Sequence, residues 1–292
     1  MGWFATRPLD EGVWLIAEPC HVNSYLVEGT EARAHIDTGL GVADIRSVGD
    51  ELGRAPHAMA ANTHHHFDHV AGNPSFDEIV IHEAGADLLA RGTEGWQLAS
   101  YRRWAQGMYE AWPEFSRLDE DYFGLVDEVA RLRPVPPGFS WEGWTVPPSK
   151  ATRTFAEGDL LELGGGTVLR VLHTPGHTPD SVCFLDERRG LLFGGDTVNS
   201  ASILVNDPTS SFEDFVGSTR RLADELSGSV REVFMAHGSR YRAEGAYLRE
   251  LADGAEAAAS GDVSIETIED AYGEGPARVA RFDRFSIVLP AS

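Results

Sequence analysis

The feature that most constrains the fold is a histidine-rich segment that needs partners from elsewhere in the chain. In the stretch NTHHHFDHVAGN, six consecutive positions carry four histidines and one aspartate. Side chains two residues apart in extended backbone point the same way, so His64 and His66 can face one ion. Asp68 and His69 follow in the turn. His65 lies between two ligands and should point away from them, so we predict that it is not a ligand.

Three further residues of ligand type occur much later, each at the end of a predicted strand. His177 lies in HTPGHTPDS, Asp196 in LLFGGDT and His237 in VFMAHG, and each has a glycine close by. Glycine beside a ligand lets the backbone approach a site closely. These residues therefore predict a metal site built from loops that are distant in sequence.

Two strand-rich regions with helical stretches between them indicate an α/β protein. Short apolar runs bounded by turn residues dominate the first 90 residues and recur after residue 155. LLELGGGTVLRVLHT and SVCFLDERRGLLFGGD are typical of hairpins. We expect two sheets packed face to face, with helices on both outer faces. The predicted helices span about 41–53, 83–91, 211–226 and 241–258, and a last strand lies near RFSIVLP.

The start of the helix at 211–226 has a local signal of its own. Ser210 and Glu213 have the spacing of a capping box, in which each side chain bonds the other residue's backbone N–H.

The motif string H-x-H-x-D-H, then T-P-G-H-T, G-D-T and a late histidine, resembles that of the metallo-β-lactamase superfamily. The resemblance runs from NSYLVEG through His237 in the family's order. It implies a four-layer αββα sandwich made as a single domain over residues 1–292. The chain departs from the family in a helical, aromatic-rich insertion at 92–150 and in a C-terminal helix and strand extension at 239–292.

The resemblance also implies a role for each motif residue. His64, His66 and His177 would bind one metal ion, and a second ion would be bound by Asp68, His69 and His237, with Asp196 bridging both. Asp68 would also be catalytic, because it could orient the attacking water or move its proton. Asp37, in the IDTG turn, would support ligands from behind. His173, just before the T-P-G turn, is predicted to support a ligand in the same way or to be structural, and not to be a further ligand. The other histidines, His21, His35, His57 and His82, have no ligand spacing and are interpreted as structural.

Nitrogen and oxygen donors without a cysteine suit zinc, although iron or manganese would also fit. Relatives with two irons carry glutamate at the position of His66, so we expect two zinc ions per chain. Zinc can lower the pKa of a bound water from about 16 to about 7.

The insertion at 92–150 is the richest aromatic segment of the chain. Trp96, Tyr101, Trp104 and Tyr109 are its candidate substrate contacts. Two interpretations stay open: a lid over the site, or an ordinary helical excursion whose aromatic residues pack on the sandwich. In either case the segment favours a substrate with an apolar group.

Charge and composition limit the partners. The net charge is −22 with no basic cluster, which disfavours nucleic acid. No apolar run approaches 18 residues, so no membrane association is expected. Two cysteines without a secretory signal indicate a reduced, cytoplasmic protein, and a homo-oligomer is possible.

The expected function is hydrolysis of an ester, thioester or lactone in a small-molecule acyl substrate. IHEAGADLLARG and FEDFVGSTRRL resemble segments of the branch that contains palmitoyl-coenzyme A hydrolases. Arg102 and Arg103 of the insertion could bind the phosphates of coenzyme A, or they could lie on a solvated helix face. Alternatives are β-lactam hydrolysis, a glyoxalase II-like thioesterase, an acyl-homoserine lactonase, a mononuclear iron persulfide dioxygenase, and a non-catalytic binding protein.

Overall fold

The first part of the chain builds a seven-stranded sheet. The computed structural model describes residues 2–238, 240–269 and 275–290. The strands lie in the sheet in chain order, antiparallel from β1 to β4 and parallel from β4 to β7. They are β1 (Ala5–Asp10), β2 (Val13–Glu18), β3 (Val22–Glu28), β4 (Ala32–Ile36), β5 (His57–Ala61), β6 (Glu78–His82) and β7 (Arg153–Phe155).

Six of the next seven strands form a second sheet. The seven are β8 (Leu160–Gly164), β9 (Thr167–His173), β10 (Val182–Asp186), β11 (Leu191–Phe193), β12 (Ser202–Leu204), β13 (Glu232–Phe234) and β14 (Arg242–Glu244). All except β12 form a six-stranded sheet in the order β14-β13-β11-β10-β9-β8. The pairs β8–β9 and β10–β11 are antiparallel, which confirms both predicted hairpins.

A third, four-stranded sheet was not predicted. It pairs β12 with three C-terminal strands, in the order β12-β17-β16-β15. These are β15 (Ile265–Glu269), β16 (Pro276–Arg281) and β17 (Ser286–Leu289). Only β17 matches the predicted strand. β15 is largely exposed and carries no apolar run, so its sequence offers little strand signal.

The helices are α1 (Ile45–Leu52), α2 (Phe67–Val70), α3 (Ala86–Arg91), α4 (Gly95–Leu118), α5 (Phe212–Leu226) and α6 (Tyr247–Ser260), with short helical turns at Asn73–Ser75, Glu83–Gly85 and Asp119–Phe123. α1 and α3 pack on the outer face of the first sheet, and α5 and α6 on the outer face of the second. Within the described ranges, no helix combines the length and apolar character needed to cross a bilayer.

Two helix starts differ from the predictions. The α5 cap is Ser211, whose Oγ accepts a hydrogen bond from the backbone N–H of Asp214 at 3.2 Å, and not Ser210. The helix α6 begins at Tyr247, later than predicted, because residues 242–244 pair with β13 as a strand.

Successive side chains of a strand point to opposite faces of its sheet and pack in two different hydrophobic cores. In β10, Val182 and Phe184 face the core between the sheets, whereas Cys183 and Leu185 face the helices α5 and α6. Period-two alternation is what a strand covered on both faces requires. The predicted four-layer αββα class is confirmed.

The insertion packs firmly in one part and lies exposed in another. Leu98, Tyr101 and Ala105 of α4 are buried in a cluster with Trp144, whose indole N–H donates to the carbonyl of Leu40 at 2.9 Å. From residue 115 to residue 123 the aromatic side chains are exposed; Phe115 is 52% exposed. The first half of α4 is therefore a fixed wall. Only the segment around Phe115 has the exposure expected of a movable lid.

Glu18 is a buried carboxyl group at the end of β2. It accepts hydrogen bonds from the Trp3 indole N–H at 2.6 Å and the Leu40 backbone N–H at 2.7 Å. Burial raises its pKa to about 7, against a usual value of 4.5, despite these two hydrogen bonds; the charge of Asp68 raises it further.

The raised pKa of Glu18 predicts a pH-dependent stability in the metal-free protein. A carboxyl whose pKa is higher in the folded state contributes stability below pH 4.5 that is lost as the pH rises through about 7. The difference between the free energy of unfolding of the Glu18→Gln protein and that of the unmodified protein should therefore increase by up to about 3 kcal/mol as the pH rises from 4.5 to about 7. Urea unfolding at a series of pH values measures this difference, and a constant difference would contradict the assignment.

The packing of the insertion predicts unequal effects of two aromatic substitutions. Trp144→Ala removes a buried side chain and should lower the free energy of unfolding by about 3–5 kcal/mol. Phe115→Ala, at an exposed position of the same insertion, should change it by less than about 0.5 kcal/mol. Urea unfolding measures both values, and equal effects would argue against a fixed wall.

Candidate metal centre

The predicted ligands come from loops at one edge of the sandwich. His64 and His66 follow β5, and Asp68 and His69 belong to α2 directly after them. His177 lies between β9 and β10, Asp196 follows β11 and His237 follows β13. The structure brings all seven side chains together, in overlapping groups that could each hold an ion.

Glycines allow two of these loops to approach so closely. Gly176 has φ +141°, and a β-carbon there would lie 2.4 Å from Cα of Phe215 in α5. Gly195 has φ +50°, and its β-carbon would lie 2.8 Å from Cβ of Thr63. Both backbone conformations disfavour larger residues, so these glycines fix the positions of the ligands that follow them.

The first group consists of three histidines and one oxygen of Asp196. Nε2 of His177 lies 3.0 Å from Nδ1 of His66 and 3.3 Å from Nε2 of His64. Oδ2 of Asp196 is 3.3 Å from His177 Nε2 and 4.0 Å from His64 Nε2. Tetrahedral ligands with bonds of about 2.0–2.1 Å stand roughly 3.3 Å apart, so most of these spacings suit one zinc-sized ion.

The second group has the same character and shares Asp196. Nε2 of His237 lies 3.3 Å from Nε2 of His69 and 3.4 Å from Oδ2 of Asp68. Oδ1 of Asp196 is 3.2 Å from His237 Nε2 and 3.4 Å from His69 Nε2. Asp196 thus presents one oxygen to each group, which is the geometry of a bridging carboxylate.

The other ring nitrogen of four of the histidines faces an oxygen that accepts its proton in a hydrogen bond. The contacts are His69 Nδ1 with Asp37 Oδ2 at 2.7 Å, His177 Nδ1 with Leu204 O at 2.6 Å, His237 Nδ1 with His21 O at 3.0 Å, and His64 Nδ1 with Thr63 Oγ1 at 3.0 Å. The Thr63 hydroxyl already donates to Asp37 Oδ2 at 2.8 Å, so it accepts from His64. Each Nδ1 therefore carries a proton, and each Nε2 is the nitrogen that faces the centre and could bind an ion.

In the first group, converging lone pairs with no proton between them repel unless a cation lies among them. Burial, together with neighbouring histidines, lowers the pKa of His64 and His66 well below the usual range, which keeps both in the neutral form that binds metal. The donor set therefore fits divalent metal ions.

The second group has a different electrostatic balance because carboxylates surround it. Burial alone would lower the pKa of His69, but Asp196, Asp37 and Asp68 raise it well above the usual range. Burial would likewise raise the pKa of Asp196, but His237 and His69 lower it. A metal ion bound by His69 would therefore have to displace the proton that these carboxylates stabilise on its imidazole.

Two supporting contacts lie behind the ligands. Asp37, as the resemblance implied, contacts a ligand from behind: it bonds His69 and also accepts from the Thr63 backbone N–H at 2.7 Å. Asn199 was not predicted. Its Oδ1 accepts from the backbone N–H of His237 at 2.9 Å and its Nδ2 donates to Asp196 Oδ1 at 3.2 Å. Its only sequence signal is its position three residues after Asp196.

Two predicted residues play other parts. His173 lies outside the centre: its Nε2 bonds the carbonyl oxygen of Pro179 at 2.9 Å and its ring stacks on His82, so its predicted support of a ligand is corrected. Tyr109 is not among the residues that line the adjoining cavity; its hydroxyl donates to the Arg133 carbonyl at 2.8 Å and its ring packs near His21. Its predicted substrate contact is corrected to packing.

A cavity of about 670 Å³ opens beside the centre. Trp96, Tyr101 and Trp104 of α4, which were predicted as substrate contacts, line it together with His21. The full metal-side lining is His66, Asp68, His177, Asp196 and His237. Among the described residues that line the cavity there is no lysine or arginine.

The two arginines considered as possible phosphate contacts form hydrogen bonds within the insertion. Arg102 donates to the carbonyl oxygen of Trp144 and Arg103 to Oγ of Ser100 at 3.0 Å.

Comparisons with known proteins agree with this geometry. A family model for the metallo-beta-lactamase superfamily matches residues 17–237. The chain is 32% identical over 260 residues to acyl-coenzyme A thioesterase MBLAC2 of Gallus gallus, covering 84% of each chain. It is 30% identical to the Homo sapiens protein of the same name, covering 83% of this chain and 84% of that one.

A solved structure shows the same fold. A metallo-beta-lactamase family protein from Thermus thermophilus superposes with a TM-score of 0.56 at 25% identity, covering 87% of this chain and 81% of that one. The family match spans most of the chain and includes every predicted ligand. The chain belongs to the metallo-beta-lactamase superfamily, and it is a metallo-hydrolase of that superfamily.

Proposed function

We propose that the chain hydrolyses thioesters of acyl groups that have an apolar part, using two zinc ions. The observation that carries the proposal is the pair of ligand groups that each receive one oxygen of Asp196 and open onto an aromatic-walled cavity. The choice of a thioester is supported by the MBLAC2 relatives, which are named acyl-coenzyme A thioesterases.

The residues of the centre divide the work of hydrolysis. Divalent ions held by the seven ligands would polarise the substrate carbonyl and lower the pKa of water. Asp68 lines the cavity, and its Oδ2 faces His237, so its carboxylate can hold a water by a hydrogen bond and accept its proton. Four of the ligand histidines keep a proton on the outward nitrogen, and both oxygens of Asp196 face the ligand groups, so we assign the role of base on the cavity side to Asp68.

The walls of the cavity favour an uncharged acyl group. Its volume, about 670 Å³, falls in the range of pockets for small organic ligands. Trp96 and Trp104 supply apolar surface to the cavity. Asp68, Asp196 and Asp207 supply carboxylates, and no lysine or arginine among the described lining residues balances their charge. We infer that phosphate groups of a coenzyme A leaving group would stay outside this cavity.

The proposal is tested by a substrate panel combined with metal analysis. We expect about two zinc ions per chain, and faster turnover of long-chain acyl thioesters than of a lactone, a lactam, a phosphodiester or a persulfide. Oxygen uptake with a persulfide and one iron per chain would instead support the dioxygenase alternative. Absence of turnover with every substrate of the panel would overturn the proposal.

Asp68→Asn tests the role of that carboxylate. The amide keeps the shape but cannot accept a proton, so kcat for thioester hydrolysis should fall about 10²–10⁴-fold. Asp253→Asn, at an exposed position on α6, is the control and should leave kcat unchanged. Metal content and kcat are measured for both variants. An Asp68→Asn protein with unchanged kcat would show that another group moves the proton.

Trp104→Ala tests the aromatic wall. The loss of apolar contact should lower kcat/KM for a long acyl chain by about tenfold, since each buried methylene contributes about 0.8 kcal/mol. An acetyl thioester should be affected less than about threefold. Phe115→Ala, which lies outside the cavity lining, is the matched control. Equal losses for both chain lengths would argue against an acyl site at this wall.

A further inference from the structure

A hydrogen bond outside the metal centre joins the two loops that carry the first group of ligands. Nδ1 of His65 lies 2.8 Å from Oδ1 of Asp180. His65 stands between His64 and His66, and Asp180 follows His177 by three residues. We propose that His65 and Asp180 form a positioning pair that sets the spacing of the three histidines around the first ion. The inference rests on the proposed pair of ions.

The backbone geometry explains how a residue that is not a ligand can act on its neighbours. Successive side chains of an extended segment point to opposite sides, so His65 turns away as predicted while His64 and His66 face the centre. A bond from His65 to the other loop therefore restrains the peptide units on both sides of it. The two loops follow strands of different sheets, β5 and β9, so the bond also fixes one sheet edge relative to the other.

The burial of Asp180 indicates more than space filling. Its side chain is fully buried, and among the described residues its Oδ2 has no hydrogen-bond partner. A buried carboxylate with a single partner costs free energy that an apolar side chain would not. The fold nevertheless makes room for it: a β-carbon at Gly85 would lie 2.3 Å from Asp180 Oδ2.

The pair acts on one ligand group only. His69, in the second group, is held from behind by Asp37, and the backbone of His237 is held by Asn199. Neither contact involves His65 or Asp180. Loss of the pair should therefore weaken the first ion selectively, which a general loss of stability would not do.

The test separates the two ions in the full chain by removing one site at a time. His237→Ala leaves the group His64, His66 and His177, and His177→Ala leaves the group Asp68, His69 and His237. Metal-free protein of each background is titrated with Co²⁺ and followed by visible absorption. Asp180→Ala should raise the Co²⁺ dissociation constant about tenfold or more in the His237→Ala background and shift its visible bands. In the His177→Ala background the change should stay within about twofold.

Conservative and neighbouring variants complete the design. Asp180→Asn keeps an oxygen that accepts from His65, and His65→Asn keeps a donor near the position of Nδ1, so each should recover part of the affinity. His82→Gln removes the ring stack on His173 but leaves the pair intact, so it should leave the Co²⁺ dissociation constant of each background unchanged. If Asp180→Ala does not fold by circular dichroism, the double variant His65→Ala/Asp180→Ala, which leaves no unpaired buried carboxylate, takes its place.

The outcomes distinguish this inference from the proposed function. Equal weakening in both backgrounds, or no weakening in either, would overturn the positioning pair. Binding of fewer than two Co²⁺ ions by the unmodified protein would overturn the dinuclear proposal. The His237→Ala background would still test the pair in that case.

Discussion

The main physical constraint on the metal centre is electrostatic repulsion between imidazole nitrogens that the fold holds about 3 Å apart. His64, His69, His177 and His237 each have their proton fixed on the outward Nδ1 by an oxygen acceptor. Nothing within the centre relieves the resulting concentration of negative potential except a cation or extra protons. The core between the sheets therefore supplies the packing energy that keeps an unfavourable group of donors together until metal binds.

The residues that carry the chemistry could be predicted because their signals are local. The ligand segment has a two-residue period at a strand end, and His177 and Asp196 each follow a glycine whose conformation or close contacts exclude a side chain. The paired sheets could be predicted for a similar reason, since Val182 and Cys183 alternate between two cores in a continuous apolar run. Each of these inferences needs only the neighbouring residues.

The features that escaped prediction depend on contacts made in three dimensions. Asn199 is an ordinary turn residue until His237 and Asp196 approach it from separate loops. β15 becomes a strand by pairing with β16, although its own side chains are mostly exposed. Tyr109 and Trp104 lie five residues apart on one helix, yet only Trp104 lines the cavity, because the Tyr109 ring packs near Trp141 and its hydroxyl donates to the Arg133 carbonyl.

The third sheet has a consequence for how members of this superfamily can diverge. The family match ends at residue 237, but part of the cavity wall comes from Pro276 and Ala277 of β16. The wall thus includes a segment that bears no predicted ligand and lies after the shared region. Mutations there can reshape what the enzyme accepts while the ion-binding chemistry stays intact, so selection on substrate and selection on catalysis act on physically separate parts of one chain.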